Sequence, residues 1–123
     1  MKGDENRNYR DGDCSRLASA IWQIAGSDWQ LAIFEGAGAH VVAVAPTGQL
    51  VDVDGIRTEA DIRGSWYGPP TIVNSASELY AQGWDTSIEA VDIWAALATL
   101  HEAGLITDDV WEYADDELYR LED

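Results

Sequence analysis

The chain has 123 residues and a formal net charge of −16 at pH 7, from 23 acidic and 7 basic residues. Direct binding to DNA, RNA or anionic membranes is disfavoured, because those ligands are bound by clustered Lys and Arg. Apolar residues make up 46% of the chain and include six tryptophans, which predicts one folded domain over residues 1–123 rather than a disordered acidic chain.

The single cysteine and the N-terminal residues bear on where the protein works. Cys14 has no second cysteine to pair with, so no intramolecular disulfide can form and a reducing compartment is expected. The N-terminal residues contain no apolar stretch typical of a secretory signal. The longest apolar run, residues 41–46, is too short to cross a bilayer. A cytoplasmic protein is therefore predicted.

The first half of the chain predicts a helix followed by strands. Asp13 is expected to cap a helix from Cys14 to about Ala25, in which apolar residues recur at i, i+3, i+4 and i+7. Strand-like runs follow over residues 29–34, 39–45 and 49–53, the last two joined by a turn at Pro46, Thr47 and Gly48.

The second half of the chain predicts helices. They run from Thr58 to about Trp66, from a capping-box pair at Thr86 and Glu89 to about Ala103, and from a cap at Thr107 to about Leu121. This order of elements predicts an α+β fold, with a small antiparallel sheet, one helix before it and helices after it.

Negative charge is concentrated in the last third of the chain. Residues 85–123 contain twelve acids and one base, for a net charge of −11. On the predicted final helix the acids sort onto one face, which favours binding to a basic protein surface. Halophilic adaptation or an ordinary solvated helix face would produce the same pattern. The candidate partner-binding residues are Asp108, Asp109, Glu112, Asp115 and Asp116.

In its size, its acidity and its acidic helical C-terminal third, the chain resembles phage-encoded inhibitors of nucleic-acid enzymes, above all anti-CRISPR proteins that mimic DNA. Within that class the resemblance favours inhibitors of type I CRISPR surveillance complexes. It implies that the five candidate acids occupy a Lys/Arg-lined DNA path and block target DNA. Such a protein is not an enzyme, needs no cofactor or metal, and acts in the host cytoplasm.

A second pattern places a cysteine, a histidine and aspartates in order. Cys14 opens the predicted first helix, His40 opens an apolar strand, and Asp52 and Asp54 lie at the end of the next strand. Residues 11–64 thus resemble small papain-like or transglutaminase-like cysteine domains. The resemblance implies Cys14 as nucleophile, His40 as base, and Asp52 or Asp54 as the residue that orients the imidazole. The alternative function is a small cysteine hydrolase or transferase, unless Cys14 is only a small buried apolar side chain.

The register of the central hairpin decides whether these residues can meet. If Pro46 pairs with Gln49 across a two-residue turn, His40 points to the opposite side of the sheet from both aspartates. If Pro46 pairs with Leu50 around a three-residue turn, His40 shares a face with both, and Asp54 lies nearer than Asp52. The second register is favoured, because Gly48 then occupies the middle of the loop.

Overall fold

The computed structural model describes residues 8–10, 12–26, 28–64 and 67–106. Their helices and strands, in chain order, are α1 (Cys14–Ala25), β1 (Gln30–Glu35), β2 (Ala39–Val44), β3 (Leu50–Asp52), β4 (Gly55–Arg57), α2 (Glu59–Arg63), β5 (Thr71–Val73), α3 (Ala76–Ala81) and α4 (Ala90–Glu102).

The five strands form one antiparallel sheet in the order β4-β3-β2-β1-β5. β1 to β4 form a meander of successive hairpins, and β5 returns to pair with β1 on the other edge. The α+β prediction is confirmed, with α1 before the sheet and helices after it. The short strands β4 and β5 and the helix α3 were not predicted.

The sheet buries apolar side chains on both faces because successive residues of a strand point to opposite sides. On one face α1 covers the odd-numbered positions of β1 and β2, including Ile33 and Val41. On the other face Phe34, Val42 and Leu50 pack with Ile62 of α2. The sheet therefore has two apolar faces, one packed against α1 and the other against α2.

Helix α1 begins where the sequence predicts, although its cap differs. Leu17, Ala18 and Ile21 are buried with Cys14, as the i, i+3, i+4, i+7 spacing requires. Asp13 occupies the cap position without capping through its side chain. Its carboxylate accepts the N–H of Asn8, and its own N–H donates to the carbonyl oxygen of that residue. These bonds close the loop that leads into Cys14.

Helix α4 begins later than the predicted cap. The capping box joins Glu89 and Asp92, so the expected pair of Thr86 with Glu89 is wrong. Asp85 holds the N–H of Ser87 in a local turn, which keeps the preceding segment out of the helix. The predicted end is confirmed, because Gly104 follows the last turn with φ +75°.

Helix α2 begins at Glu59, one residue after the predicted start at Thr58, and is shorter than predicted. Thr58 accepts the N–H of Asp61, and the helix ends at Arg63. The final helix predicted from Thr107 lies outside the described residues. No helix in the part of the chain that the structure describes is long and apolar enough to cross a membrane.

Candidate cysteine site

The β2–β3 hairpin has a register that the sequence did not predict. Ala43 pairs with Val51 and Val44 with Leu50, two residues away from the favoured register. The loop contains Pro46, Thr47 and Gly48, and the closing bonds join Ala45 to Gln49 and Gly48 to Ala45. Because the shift is an even number of residues, His40 still shares a face with the aspartates.

This register changes which aspartate meets His40. Continuing it places Asp52 opposite Val42, one step along the ladder from His40 and on the same face. Asp54 would fall directly opposite His40, but β3 ends at Asp52 and the chain turns at residues 53–54. The expectation that Asp54 lies nearer is therefore wrong, and Asp52 is the partner of the imidazole.

The Cys14 sulfur takes a hydrogen bond that a neighbouring strand would otherwise accept. In the β2–β3 register the N–H groups of Ala45, Ala43 and Val41 point toward β3. At Val41 the ladder has already ended, and its N–H donates to Cys14 Sγ at 3.4 Å. The first residue of α1 thus lies beside the end of β3. From this position the sulfur can reach His40, whose side chain lies on the sheet face opposite α1.

His40 is held between Asp52 and Cys14. Its Nε2 lies 3.0 Å from Asp52 Oδ2. Burial lowers the pKa of His40. Hydrogen bonds with Asp52 and Cys14, together with their Coulombic attraction, outweigh that effect and raise the pKa to about 9. The ring is therefore an imidazolium at neutral pH.

Asp52 is buried with its charge compensated on both oxygens. Oδ1 accepts the N–H of Asp54 at 2.8 Å, and Oδ2 accepts from His40 and from Arg57 Nη1 at 3.1 Å. Burial raises the pKa of Asp52. The hydrogen bonds from His40 and from the Asp54 backbone, and the charges of Arg57 and His40, lower the pKa below 3.8 overall. The carboxylate stays ionised and fixes the ring.

A cavity of about 170 Å³ adjoins the His40–Asp52 pair. Ile62, Tyr67, Arg10 and Arg57 also line it. Asp54 pairs with both arginines here, at 2.6 Å from Arg10 Nη2 and 3.6 Å from Arg57 Nη1. The cavity is lined by His40, whereas Cys14 is only 4% exposed and is not one of its lining residues.

The structure brings Cys14, His40 and Asp52 together and directs Asp54 to the arginines. Sequence reasoning missed Arg57 as the second contact of Asp52. A signal for it was available, because a two-residue turn at 53–54 pairs Leu50 with Arg57 and puts that arginine on the face of Asp52. The predicted partner-binding acids Asp108, Asp109, Glu112, Asp115 and Asp116 lie outside the described residues.

Within the described ranges, no group of three or more His, Cys, Asp or Glu side chains is placed to hold a metal ion. Comparisons of the chain with family models, with curated proteins and with solved structures found no match.

Proposed function

We propose that this protein is a small cysteine hydrolase or acyl transferase in which Cys14 is the nucleophile, His40 the acid and base, and Asp52 the residue that orients the ring. One observation carries the proposal: His40 Nε2 lies 3.0 Å from Asp52 Oδ2, in a ring that also interacts with the Cys14 side chain. A nucleophile, a base and an orienting carboxylate in that order are the requirement for thiol catalysis.

A hydrogen-bond donor and a positively charged ring lie next to the Cys14 sulfur. The residue begins α1, where the helix dipole is positive, and it accepts the Val41 N–H at 3.4 Å. The His40 imidazolium supplies a full positive charge beside it. A thiolate–imidazolium pair is the reactive form of a catalytic cysteine, so these contacts support nucleophilic attack by sulfur.

In the proposed reaction the sulfur attacks a carbonyl carbon, forming a C–S bond while the carbonyl electron pair moves to oxygen. The bond from carbon to the leaving nitrogen or oxygen then breaks, and His40 gives its proton to that atom. Acylation removes the thiol contribution that raises the pKa of His40, so the ring becomes able to accept a proton. Water or another acceptor then loses its proton to His40, attacks the acyl carbon and releases the sulfur.

Alkylation with iodoacetamide tests the site without a known substrate, and the reagent is small enough for a thiol that is 4% exposed. Because Cys14 is the single cysteine, intact-protein mass reports its labelling directly. We expect wild type to label at pH 7, and His40→Gln and Asp52→Asn to label at least about tenfold more slowly. His101→Gln is the matched control, since that histidine lies on α4, and should label like wild type.

Turnover completes the test. Activated esters and thioesters should give an acyl-enzyme mass on Cys14, and Cys14→Ala should give none. A folded wild-type protein that labels no faster than His40→Gln, or turnover that survives Cys14→Ala, would contradict the proposal and leave Cys14 as a packing residue.

We propose as a second function that the acidic surface binds a basic nucleic-acid-binding protein in the manner of an anti-CRISPR DNA mimic. The supporting observation is the net charge of −16. The arginines at 10, 16, 57 and 63 contact acids of the chain, and the charge of −16 is the surplus that remains after every base is counted. A surplus of one sign favours association with a partner of the opposite sign.

A type I surveillance complex with labelled target DNA tests this second function. Replacing Glu112, Asp115 and Asp116 together with Ser should abolish any displacement of DNA, whereas Cys14→Ala should retain it. Binding should weaken as salt rises, because exposed charges are screened within about 10 Å at 0.1 M. Displacement that persists in the triple variant, or that is lost in folded Cys14→Ala, would count against mimicry.

A further inference from the structure

One oxygen of Asp52 is shared between two positively charged groups. Oδ2 lies 3.0 Å from His40 Nε2 and 3.1 Å from Arg57 Nη1, while Oδ1 is held by the N–H of Asp54 at 2.8 Å. The turn therefore fixes the carboxylate through Oδ1. Oδ2, the oxygen that orients the imidazole, accepts from an arginine as well.

The β3–β4 hairpin places Arg57 for this contact. Leu50 pairs with Arg57 and Asp52 with Gly55, so Arg57 is diagonal to Asp52 on the same face. Gly55 has no side chain, so the position directly opposite Asp52 stays open and the guanidinium can reach Oδ2. The turn also needs glycine at this position, because its φ is +98°.

The charges around His40 come from several elements. Cys14 of α1 and Asp52 of β3 contact the ring. Arg10 of the N-terminal segment and Asp54 of the turn line the same cavity and pair with each other at 2.6 Å. Tyr67, which follows α2, completes the titratable groups of this wall. Among the described arginines, Arg57 is the one whose guanidinium contacts Asp52.

We propose that Arg57 is a positioning residue of the site, which shares the Asp52 oxygen with His40 and so limits how strongly that carboxylate stabilises the imidazolium. An unshared carboxylate would hold the ring proton too tightly for transfer to a leaving group. Arg57 divides that attraction while keeping Asp52 ionised and in place. This inference rests on the cysteine chemistry proposed above and adds a residue to it.

The pKa of the His40 ring, measured by NMR titration of the full chain, tests the proposal, with His101 as an internal control. Arg57→Gln removes the competing charge and should raise the pKa of His40 by about half a unit or more. Arg57→Lys keeps a charge and should lie between wild type and Arg57→Gln. Because Arg57 acts through the carboxylate, Arg57→Gln should shift His40 much less in the Asp52→Asn background.

A purely structural role for Arg57 gives different results. An unchanged or lowered pKa of His40 in folded Arg57→Gln would overturn the proposal, and so would an equal shift in the Asp52→Asn background. Should Arg57→Gln fail to fold, an Arg57→Lys protein with a pKa below that of wild type would overturn it. The titration reads His40 directly, so an inert Cys14 in the alkylation assay would defeat the proposed function without altering this result.

Discussion

The surroundings of Asp52 and those of Asp92 can be compared closely, since each centres on a buried aspartate that accepts from an arginine. Asp92 of α4 is 0% exposed and accepts from the Tyr9 hydroxyl at 2.9 Å, the Glu89 N–H at 2.9 Å and Arg16 Nη2 at 3.3 Å. Asp52 accepts from a backbone N–H, an arginine and His40. Asp92 therefore accepts from a tyrosine hydroxyl, whereas Asp52 accepts from an imidazole.

That difference separates a structural network from a candidate catalytic one. The contacts of Asp92 tie the N-terminal segment and α1 to α4. The contacts of Asp52 lead through His40 to a thiol and border a cavity. A buried ion pair alone therefore does not indicate a functional site. A titratable partner, a neighbouring thiol and an adjoining cavity together make the surroundings of Asp52 the candidate site.

The largest expected effect is on the structural side of the comparison. Asp92→Asn removes the one buried carboxylate of the three that contact Arg16, so the free energy of unfolding should fall by about 3 to 5 kcal/mol. Urea unfolding measures it. Asp85→Asn is the matched control, because Asp85 contacts the same arginine at 3.6 Å from an exposed position, and should cost under about 1 kcal/mol. Equal losses in the two variants would show that Asp92 has no special structural role.

A smaller effect should appear in the pH dependence of stability at the Asp52 side. The pKa of His40 is raised to about 9 from 6.5, so its stabilising contribution is complete below pH 6.5 and is lost as pH rises through 9. We expect the free energy of unfolding of wild type to fall by about 2 to 3 kcal/mol across this window, beyond any fall in His40→Gln. Parallel curves for the two proteins would mean that the folded state does not favour the imidazolium.

The smallest effect concerns the turn that presents Asp52. Gly55→Ala puts a side chain on a residue with φ +98°, although the space around it is open, and should destabilise the protein by about 1 kcal/mol. Gly12→Ala is the matched control, since Gly12 also has open space and lacks that backbone conformation. Thermal unfolding compares them. A Gly55→Ala protein as stable as Gly12→Ala would show that the turn tolerates strain at this position.

The sequence predicts those parts of this molecule that follow a local period or a local cap. The buried residues of helix α1 recur with a 3.6-residue period, and Thr58 is the N-cap of α2. Helix α3 had a usable signal that was overlooked, because Ser75 caps the N–H of Glu78 and Glu78 reaches back to Asn74. Strands of three residues, such as β4 and β5, are too short to show an alternation.

The predicted register of the β2–β3 hairpin is wrong for a reason that the sequence itself contains. It pairs Pro46 across the ladder, but proline has no N–H to donate, so the last closing pair is Ala45 with Gln49. Gly48 then stands at the end of the loop with φ +91°, as three-residue hairpin loops require. The predicted face of His40 is nevertheless correct, because the observed register differs from the predicted one by an even number of residues.

Long-range contacts were the parts of the site that the sequence could not supply. The bond from Val41 to Cys14 depends on how α1 docks against the end of β3, and the contact of Arg57 with Asp52 depends on the unpredicted strand β4. Neither leaves a periodic pattern, because each joins residues from different elements through three-dimensional packing. The order of Cys14, His40 and Asp52 along the chain predicts the candidate triad, but the contacts among these residues depend on the three-dimensional fold.

Because the Val41 N–H donates to the Cys14 sulfur, the NMR signal of this amide should depend on the chemical state of the sulfur. A thiolate is a good acceptor and a thioether or thioester sulfur is a poor one, so any acyl or alkyl group on sulfur should weaken this bond. The amide of Val41 should then shift upfield in a ¹H–¹⁵N spectrum and exchange its proton faster, while Ala43, bonded within the ladder, stays unchanged. The Val41 amide thus reports whether the Cys14 sulfur carries a covalent group, with no dye, substrate or coupled assay.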